Sequence, residues 1–149
     1  SLNYWKSSFA RELSDDLIGT MIEAFPGCPS PMTGILLEDV HGAVTRVGVR
    51  DTAVQHREAS YNVMVASVWI DPLTTDANVR WTRETYAALE PYFLDRRYLN
   101  YLSEDDLGQA ARAAYGPIYD RLAQLKARYD PDNVFHMNLN VEPMASGDR

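Results

Sequence analysis

The stretch that decides the fold is YNVMVASVWI, residues 61–70, a run rich in valine. Valine, tyrosine and tryptophan favour extended chain because their side chains pack well on a pleated surface. Successive side chains of a strand point to opposite faces of its sheet. The run therefore predicts a long strand with two distinct faces: Asn62, Met64 and Ala66 share one face, and Tyr61, Val63 and Val65 share the other.

Upstream of this run, the pattern predicts a helix followed by strands. Ser14 can cap a helix whose first turn is acidic, and Pro26-Gly27 ends it. Residues 33–39 read as a short strand. After a turn at His41-Gly42, the alternation over residues 43–49 predicts a second strand.

Downstream of the run, the pattern predicts helices. Asp76 can cap one helix, Ser103 can start another, and Gly116-Pro117 interrupts it. A last helix carries apolar residues at helical spacing from Ile118 to Tyr129. The order of helix, strands and helices indicates an α+β fold, with a mostly antiparallel sheet covered by helices on one side. The pattern does not indicate a Rossmann domain, because no glycine-rich phosphate loop and no GxGxxG pattern are present.

Length and charge limit the class of protein. A chain of 149 residues is typical of one domain, and 46% hydrophobic residues supply a core. The net charge of −7 and the scattered basic residues argue against nucleic acid and an anionic membrane as partners. No apolar run approaches the ~20 residues of a membrane span. Cys28 is the only cysteine, so neither an internal disulfide nor a cysteine-rich metal site is expected.

The motifs of common enzyme classes are missing, including HExxH and the Gly-x-Ser-x-Gly elbow. The three histidines lie far apart and show no ligand spacing, so no metal is expected. The segment YLNY, residues 98–101, is more informative. If it is extended, Tyr98 and Asn100 point one way, and Leu99 and Tyr101 the other. On chemistry alone, these tyrosines read as core aromatics, and the pair Asn138 and Asn140 as part of a turn.

A series of short motifs, taken together, resembles the berberine-bridge-enzyme-like family of FAD-linked oxidoreductases. The family has a Tyr-x-Asn-Tyr segment, a helix with Ala-Tyr-Gly, then Lys-x-x-Tyr-Asp-Pro-x-Asn-x-Phe and Asn-x-Asn. The matching residues are 98–101, 114–116, 126–135 and 138–140, followed by Pro143. Upstream, residues 52–57, TAVQHR, are similar to the family's Thr-Ala-Phe-x-His-Arg stretch, and Trp81 to its helix tryptophan.

The resemblance implies an organisation for the chain. Residues 1–97 correspond to part of the α+β substrate domain, residues 98–143 to the closing segment packed in the same domain, and residues 144–149 to a flexible tail. FAD is the implied cofactor. It is bound mainly by the family's N-terminal domain, which no part of this chain matches, so tight FAD binding by this chain alone is not expected. Cys28 does not correspond to the flavin-linked cysteine of that domain.

The resemblance also implies roles for individual residues. Tyr101 matches a tyrosine that some sugar-oxidising members use as the catalytic base, with Glu38 as a candidate partner. Implied substrate-binding residues are Tyr98, Asn62, Met64 and Arg57, and implied flavin-side residues are Asn100, Asn138 and Asn140. Met64 stands at the position where some members carry a carboxylate or an amide. This difference implies that Tyr101 handles the substrate proton and that the substrate surface near Met64 is apolar. A core role for Met64 and a structural ion pair for Arg57 are the alternatives.

Two functions follow from these patterns. The first is the substrate-binding part of an FAD-dependent oxidoreductase, partnered by its own N-terminal FAD-binding domain. It would oxidise a C–H bond next to O or N of a small molecule, such as an alcohol, sugar or secondary metabolite. The second is a non-enzymatic α+β ligand-binding module, which as a homodimer would have a symmetric interface. A detached substrate domain should expose an apolar face. Nothing in the sequence indicates a compartment.

Overall fold

A three-stranded antiparallel sheet organises the chain in the computed structural model, which describes residues 1–95, 99–101, 110–137 and 139–145. The strand order is β1-β3-β2, so β3 is central. The strands and helices of the described residues are β1 (Leu2–Ala10), α1 (Asp15–Ala24), β2 (Gly34–Val40), β3 (Ser60–Trp69), α2 (Thr75–Leu89), α3 (Ala110–Tyr115) and α4 (Tyr119–Tyr129).

The central strand β3 separates a helix-covered face from an open face. Val63 and Val65 are fully buried and belong to the core cluster with Leu17 of α1 and Leu89 of α2. Asn62, Met64 and Ala66 lie on the opposite face, where Met64 and Ala66 stay half-buried. The predicted α+β fold with an antiparallel sheet and helices on one side is thus confirmed.

Local chemistry sets the two helices that cover the sheet. The Ser14 hydroxyl oxygen accepts a hydrogen bond from the Leu17 backbone N–H at 3.2 Å and caps α1, as predicted. In α2, the Trp81 indole N–H donates to the Ala24 carbonyl oxygen at 3.1 Å and ties the two helices together. The buried hydroxyls of Ser67 and Thr82 lie 2.6 Å apart and join β3 to α2.

Two predictions about strands differ from the structure. The first strand, β1, was not predicted, although it pairs with β3 over its whole length. Residues 43–49 were predicted as a strand but form a 3-10 turn at Val44–Arg46 followed by irregular chain. The reason is local: Gly42 has φ +68°, and the Gly48 N–H donates to the Asp51 carboxylate at 3.0 Å, so the backbone bonds within its own loop.

The chain after the sheet forms helices and a turn. Gly116–Ile118 is a 3-10 turn between α3 and α4, where the predicted interruption lies. The Met144 N–H donates to the Ala123 carbonyl oxygen at 3.1 Å, and residues 146–149 of the predicted tail lie outside the described part. Within the described residues, no helix has both the length and the apolar character needed to cross a membrane.

Candidate functional site

A pocket of about 330 Å³ lies on the open face of the sheet, where β2 and β3 meet the loop that joins them. Its lining combines polar and apolar side chains. The lining residues are Phe9, Glu38, Asp39, Val40, Val44, Val54, His56, Arg57, Asn62 and Tyr101.

Glu38 joins the polar side chains of this pocket. The Tyr101 hydroxyl donates to Glu38 Oε1 at 2.9 Å, and the Asn62 amide donates to Glu38 Oε2 at 2.6 Å. The strand register explains the second contact, because Glu38 of β2 lies directly opposite Asn62 of β3. Opposite residues in an antiparallel pair bring their side chains together on one face of the sheet. The candidate base, its carboxylate partner and one predicted substrate-binding residue therefore lie in one cluster.

Asn62 has a further feature that bears on ligand binding. Its side chain is 1% exposed, and Oδ1 is buried without a hydrogen-bond partner among the described residues. A buried amide oxygen in this state is costly unless a ligand or water donates to it. The Asn62 amide oxygen is thus a buried acceptor, beside the pocket, for which the described residues supply no donor.

His56 and Phe9 form the aromatic part of the lining. Their rings stack with centroids 4.2 Å apart, and both side chains are buried. Sequence reasoning did not predict His56 as a site residue because the histidines show no ligand spacing. Its place in the TAVQHR stretch was the one available signal. In the described residues, no group of three His, Cys, Asp or Glu side chains could hold a metal ion.

Arg57 lies at the pocket, but its guanidinium contacts the protein's own loop. Nε donates to the Val54 carbonyl oxygen at 3.2 Å, Nη1 to the Val44 carbonyl oxygen at 3.5 Å, and Nη2 to the Thr52 hydroxyl at 2.6 Å. These acceptors are neutral, so the described contacts of Arg57 are loop contacts instead of the structural ion pair considered above.

The remaining predicted residues are spread around this cluster. Leu99–Tyr101 is a 3-10 turn, so the extended reading of this segment is wrong. Asn100 lines a second, smaller pocket of about 190 Å³ that also contacts His56. Met64 lies on the same face of β3 as Asn62 but does not line the pocket that holds Glu38 and Tyr101. Tyr98 and Asn138 lie outside the described residues.

Of the residues that the resemblance assigns to the flavin side, Asn100 and Asn140 lie within the described part of the chain. The Asn140 amide donates to Glu142 at 2.8 Å, while its Oδ1 is buried without a hydrogen-bond partner among the described residues. An amide oxygen of this kind fits the N–H edge of a flavin ring. No glycine-rich loop for the pyrophosphate occurs in the sequence. Amide side chains of this chemistry would suit the ring edge of FAD.

Asp130 clamps the turn that precedes Asn140. Its carboxylate accepts from the Lys126 ammonium at 2.5 Å, from the Val134 N–H at 2.8 Å and from the Phe135 N–H at 3.0 Å. Lys126 also donates to the Phe135 carbonyl oxygen. The hydrogen bond from Lys126 is the largest influence that lowers the pKa of Asp130 below its ordinary value of 3.8. Beyond the turn, the side chains of Val134, Phe135 and Met137 are exposed.

Comparison with known proteins gives one consistent result. The family described as "Berberine and berberine like" matches residues 97–142. An FAD-linked oxidoreductase of Dictyostelium discoideum is 30% identical over 144 residues, which is 95% of this chain and 31% of that protein. Aclacinomycin-N/aclacinomycin-A oxidase of Streptomyces galilaeus is 31% identical over 119 residues, 68% of this chain and 22% of that protein.

The fold agrees with these matches. The solved structure of berberine bridge enzyme from Eschscholzia californica superposes with a TM-score of 0.87 at 20% identity, over 98% of this chain and 34% of that one. The class is thus a berberine-bridge-type flavoprotein fold. The resemblance seen in the sequence is confirmed: the chain carries the berberine-bridge segment and is related to FAD-linked oxidoreductases of that family. It spans about a third of the length of the first curated relatives it matches.

Proposed function

We propose that this chain supplies the substrate-binding side of an FAD-dependent oxidoreductase that oxidises a C–H bond next to O or N, with Tyr101 taking part in the proton transfer. The observation that carries the proposal is the hydrogen-bonded cluster of Tyr101, Glu38 and Asn62 on the wall of an open pocket. The relationship to FAD-linked oxidoreductases supports the redox class.

The cluster is suited to move a proton from substrate to protein. A free phenol has a pKa near ~10 and is a poor base as a neutral group. Glu38 at 2.9 Å changes this, because Tyr101 can take a substrate proton while passing its own to the carboxylate. A phenolate beside a carboxylate would be repelled, so the geometry favours a relay in which Tyr101 stays neutral.

Asn62 helps to orient both partners of this relay. Its amide N–H holds Glu38 Oε2 at 2.6 Å, which leaves Oε1 facing the Tyr101 hydroxyl. Its Oδ1 is a buried acceptor without a donor among the described residues, so the Asn62 amide adds a polar group next to the relay. FAD, when bound, supplies the two-electron acceptor for the hydride.

The flavin-binding domain is the partner that this proposal requires. Three apolar side chains after the Asp130 turn support it: Val134, Phe135 and Met137 are 66%, 81% and 83% exposed. An exposed apolar cluster of this kind is typical of a surface that another domain covers. This observation favours the enzyme part over a stand-alone binding module with a polar exterior.

The test is anaerobic flavin reduction by substrate, followed by stopped flow in the complete flavoprotein. We expect Tyr101→Phe to lower the reduction rate by about 10²–10⁴, which is the usual contribution of a positioned base. Tyr129→Phe is the matched control because its ring is 72% exposed on α4 and does not line the pocket. Reduction of the Tyr101→Phe flavin at the wild-type rate, with unchanged flavin content, would contradict the proposal.

A further inference from the structure

Two valines of the loop between β2 and β3 form an apolar wall of the pocket that holds the Tyr101 cluster. Val44 and Val54 both line it, at 38% and 41% exposure. Val40 and Phe9 add apolar surface to the same lining. None of these side chains belongs to the hydrogen-bonded cluster around Glu38. The pocket therefore pairs a proton-handling group with an apolar surface.

One side chain bonds to the backbone of both valines of the wall. No strand lies between Val40 and Ser60, so no sheet ladder holds this part of the backbone. Arg57 links the two wall residues, because its guanidinium donates to the carbonyl oxygen of Val54 at 3.2 Å and to that of Val44 at 3.5 Å. The same guanidinium holds the Thr52 hydroxyl, which in turn accepts from the Val54 N–H at 3.4 Å.

The two valines are ten positions apart in the chain, and Arg57 fixes the backbone of each. Arginine suits this role because its planar fork presents several N–H donors in fixed directions. A lysine in its place would offer one flexible ammonium. Arg57 is thus placed to act as a positioning residue for the wall, since its described hydrogen bonds go to the loop.

We propose that Val44 and Val54, held in place by Arg57, select a neutral substrate with an alkyl or aryl group beside the hydroxyl or amine that the Tyr101 cluster serves. The inference rests on the proposed function and adds the substrate class to it. An anionic substituent would meet the Glu38 carboxylate, whereas the Arg57 guanidinium in the same lining already donates to three oxygens of the loop.

The test measures binding to the complete flavoprotein by calorimetry, with benzamide and its 4-methyl, 4-ethyl and 4-propyl derivatives as probes. These neutral amides carry an N–H donor and a carbonyl acceptor for the polar Glu38 and Tyr101 side chains of the lining and are not expected to be oxidised. We expect the affinity to rise about fourfold with each methylene, because a buried methylene stabilises by about 0.8 kcal/mol. Equal affinities for all four probes would overturn the inference.

Variants assign the effect to the wall. Val44→Thr and Val54→Thr keep the side-chain shape and should reduce the gain per methylene, whereas Val49→Thr should retain it. Val49 is the matched control because it is 39% exposed in the same loop but does not line the pocket. Retention of the full gain in both the Val44 and Val54 variants would place the apolar surface elsewhere and contradict the proposal.

The Arg57→Gln variant distinguishes a role of Arg57 in positioning the valine wall from a general role in the stability of the protein. We expect benzamide to bind as in the wild type, while 4-propylbenzamide loses most of its roughly 60-fold advantage, three fourfold steps. An equal loss for every probe would show a merely structural Arg57 and overturn its positioning role. Tighter binding of 4-propylbenzoate than of 4-propylbenzamide, abolished in Arg57→Gln, would instead identify an anion site.

Failure of the proposed function gives a different result from failure of this inference. The affinity gradient is read without turnover, so it holds or fails independently of flavin reduction. If the affinity rises with each methylene but the Tyr101→Phe variant reduces its flavin at the wild-type rate, the valine wall is supported and Tyr101 is not the base. A flavin reduced through Tyr101, with no gradient, retains the base and removes the wall.

Discussion

At the scale of single residues, Glu38 decides what the candidate site can do. Sequence reasoning named Tyr101 from the motif and Glu38 only as a candidate partner, because the two residues are 63 positions apart. The β2–β3 register places Glu38 opposite Asn62. A local sequence pattern cannot predict which residues of two strands lie opposite each other. The residue types were therefore predictable, while their contact needed the structure.

The relay predicts the effect of removing the Glu38 charge. Glu38→Gln keeps the size of the side chain and one acceptor oxygen, but it cannot take up the Tyr101 proton at neutral pH. We expect flavin reduction by substrate to slow by about 10² or more, within the range of general base catalysis. Stopped-flow reduction of the variant is the measurement. Glu23→Gln, an exposed change on α1, should have no effect. A Glu38→Gln rate equal to that of the wild type would make Glu38 a neighbour without a chemical role.

Asp130 predicts a pH dependence of stability. Its pKa is lowered in the folded chain, so its contribution is complete above the ordinary value of 3.8 and is lost as the pH falls through the folded value. Asp130→Asn should therefore destabilise the chain at pH 7, and the difference from the wild type should shrink below about pH 4. Urea unfolding of both proteins from pH 2.5 to 7 measures this.

The neighbouring carboxylate is the control for the Asp130 experiment. Asp132 lies in the same turn and is exposed. Asp132→Asn should leave the pH profile of unfolding unchanged. A difference between the wild type and Asp130→Asn that stays constant from pH 7 to pH 2.5 would show that the carboxylate charge does not stabilise the turn.

At the scale of elements, predictions succeeded where the sequence carries a strong local signal. The central strand β3 is a run of β-branched and aromatic residues, and α1 has both a cap and an apolar stripe. The strand β1 has no such signal, because Lys6 and Ser8 lie on its helix-facing side while Trp5 and Phe9 lie on the opposite side. Its sequence, LNYWKSSFA, therefore lacks an alternation that could identify it.

The opposite error occurred at residues 43–49. Their alternation of apolar and polar side chains satisfies the pattern of a strand, but Gly42 has a positive φ and turns the chain, and Arg57 donates to the Val44 carbonyl oxygen. A pattern of side chains cannot show whether the backbone has a partner strand. The loop between β2 and β3 supplies Val44 and Val54 to the pocket. The strand prediction therefore failed in the loop that we propose selects the substrate.

The cap of α1 gives a prediction for an element. Ser14→Ala removes the hydroxyl that accepts from the Leu17 N–H and leaves that donor without its cap. We expect the free energy of unfolding to fall by about 1 kcal/mol, the usual cost of losing an N-cap. Urea denaturation measures it. Ser14→Asp should restore the stability because aspartate caps a helix equally well, and a destabilised Ser14→Asp would show that the hydroxyl acts in some other way.

At the scale of the whole molecule, α1 and α2 cover one face of the sheet, and the candidate site lies on the opposite face. The pocket, the Tyr101 cluster and the half-buried Met64 all lie on the open side. The apolar segment after the Asp130 turn adds uncovered surface near the chain's end. Since the relatives are about three times as long as this chain, a flavin-binding domain is the covering partner that we propose.

Methionine oxidation tests whether that partner covers the segment. Met137 is 83% exposed and Met21 is 8% exposed in this chain, so dilute peroxide should oxidise Met137 quickly and Met21 slowly in the isolated chain. In the complete flavoprotein, we expect oxidation of Met137 to slow by about tenfold, because burial limits access of peroxide to the thioether. Peptide mass spectrometry after timed exposure gives each rate in one digest.

Met21 and the free chain supply the controls for this experiment. Slow oxidation of Met21 in the isolated chain shows that its core is formed, which makes the comparison of Met137 valid. Phe135→Ser in the complete protein should restore part of the reactivity of Met137, since Phe135 is 81% exposed in the same segment and would share its apolar contact. If Met137 reacts equally fast in the isolated chain and in the complete flavoprotein, the segment stays in solvent, and the exposed apolar surface must serve a partner other than the flavin-binding domain.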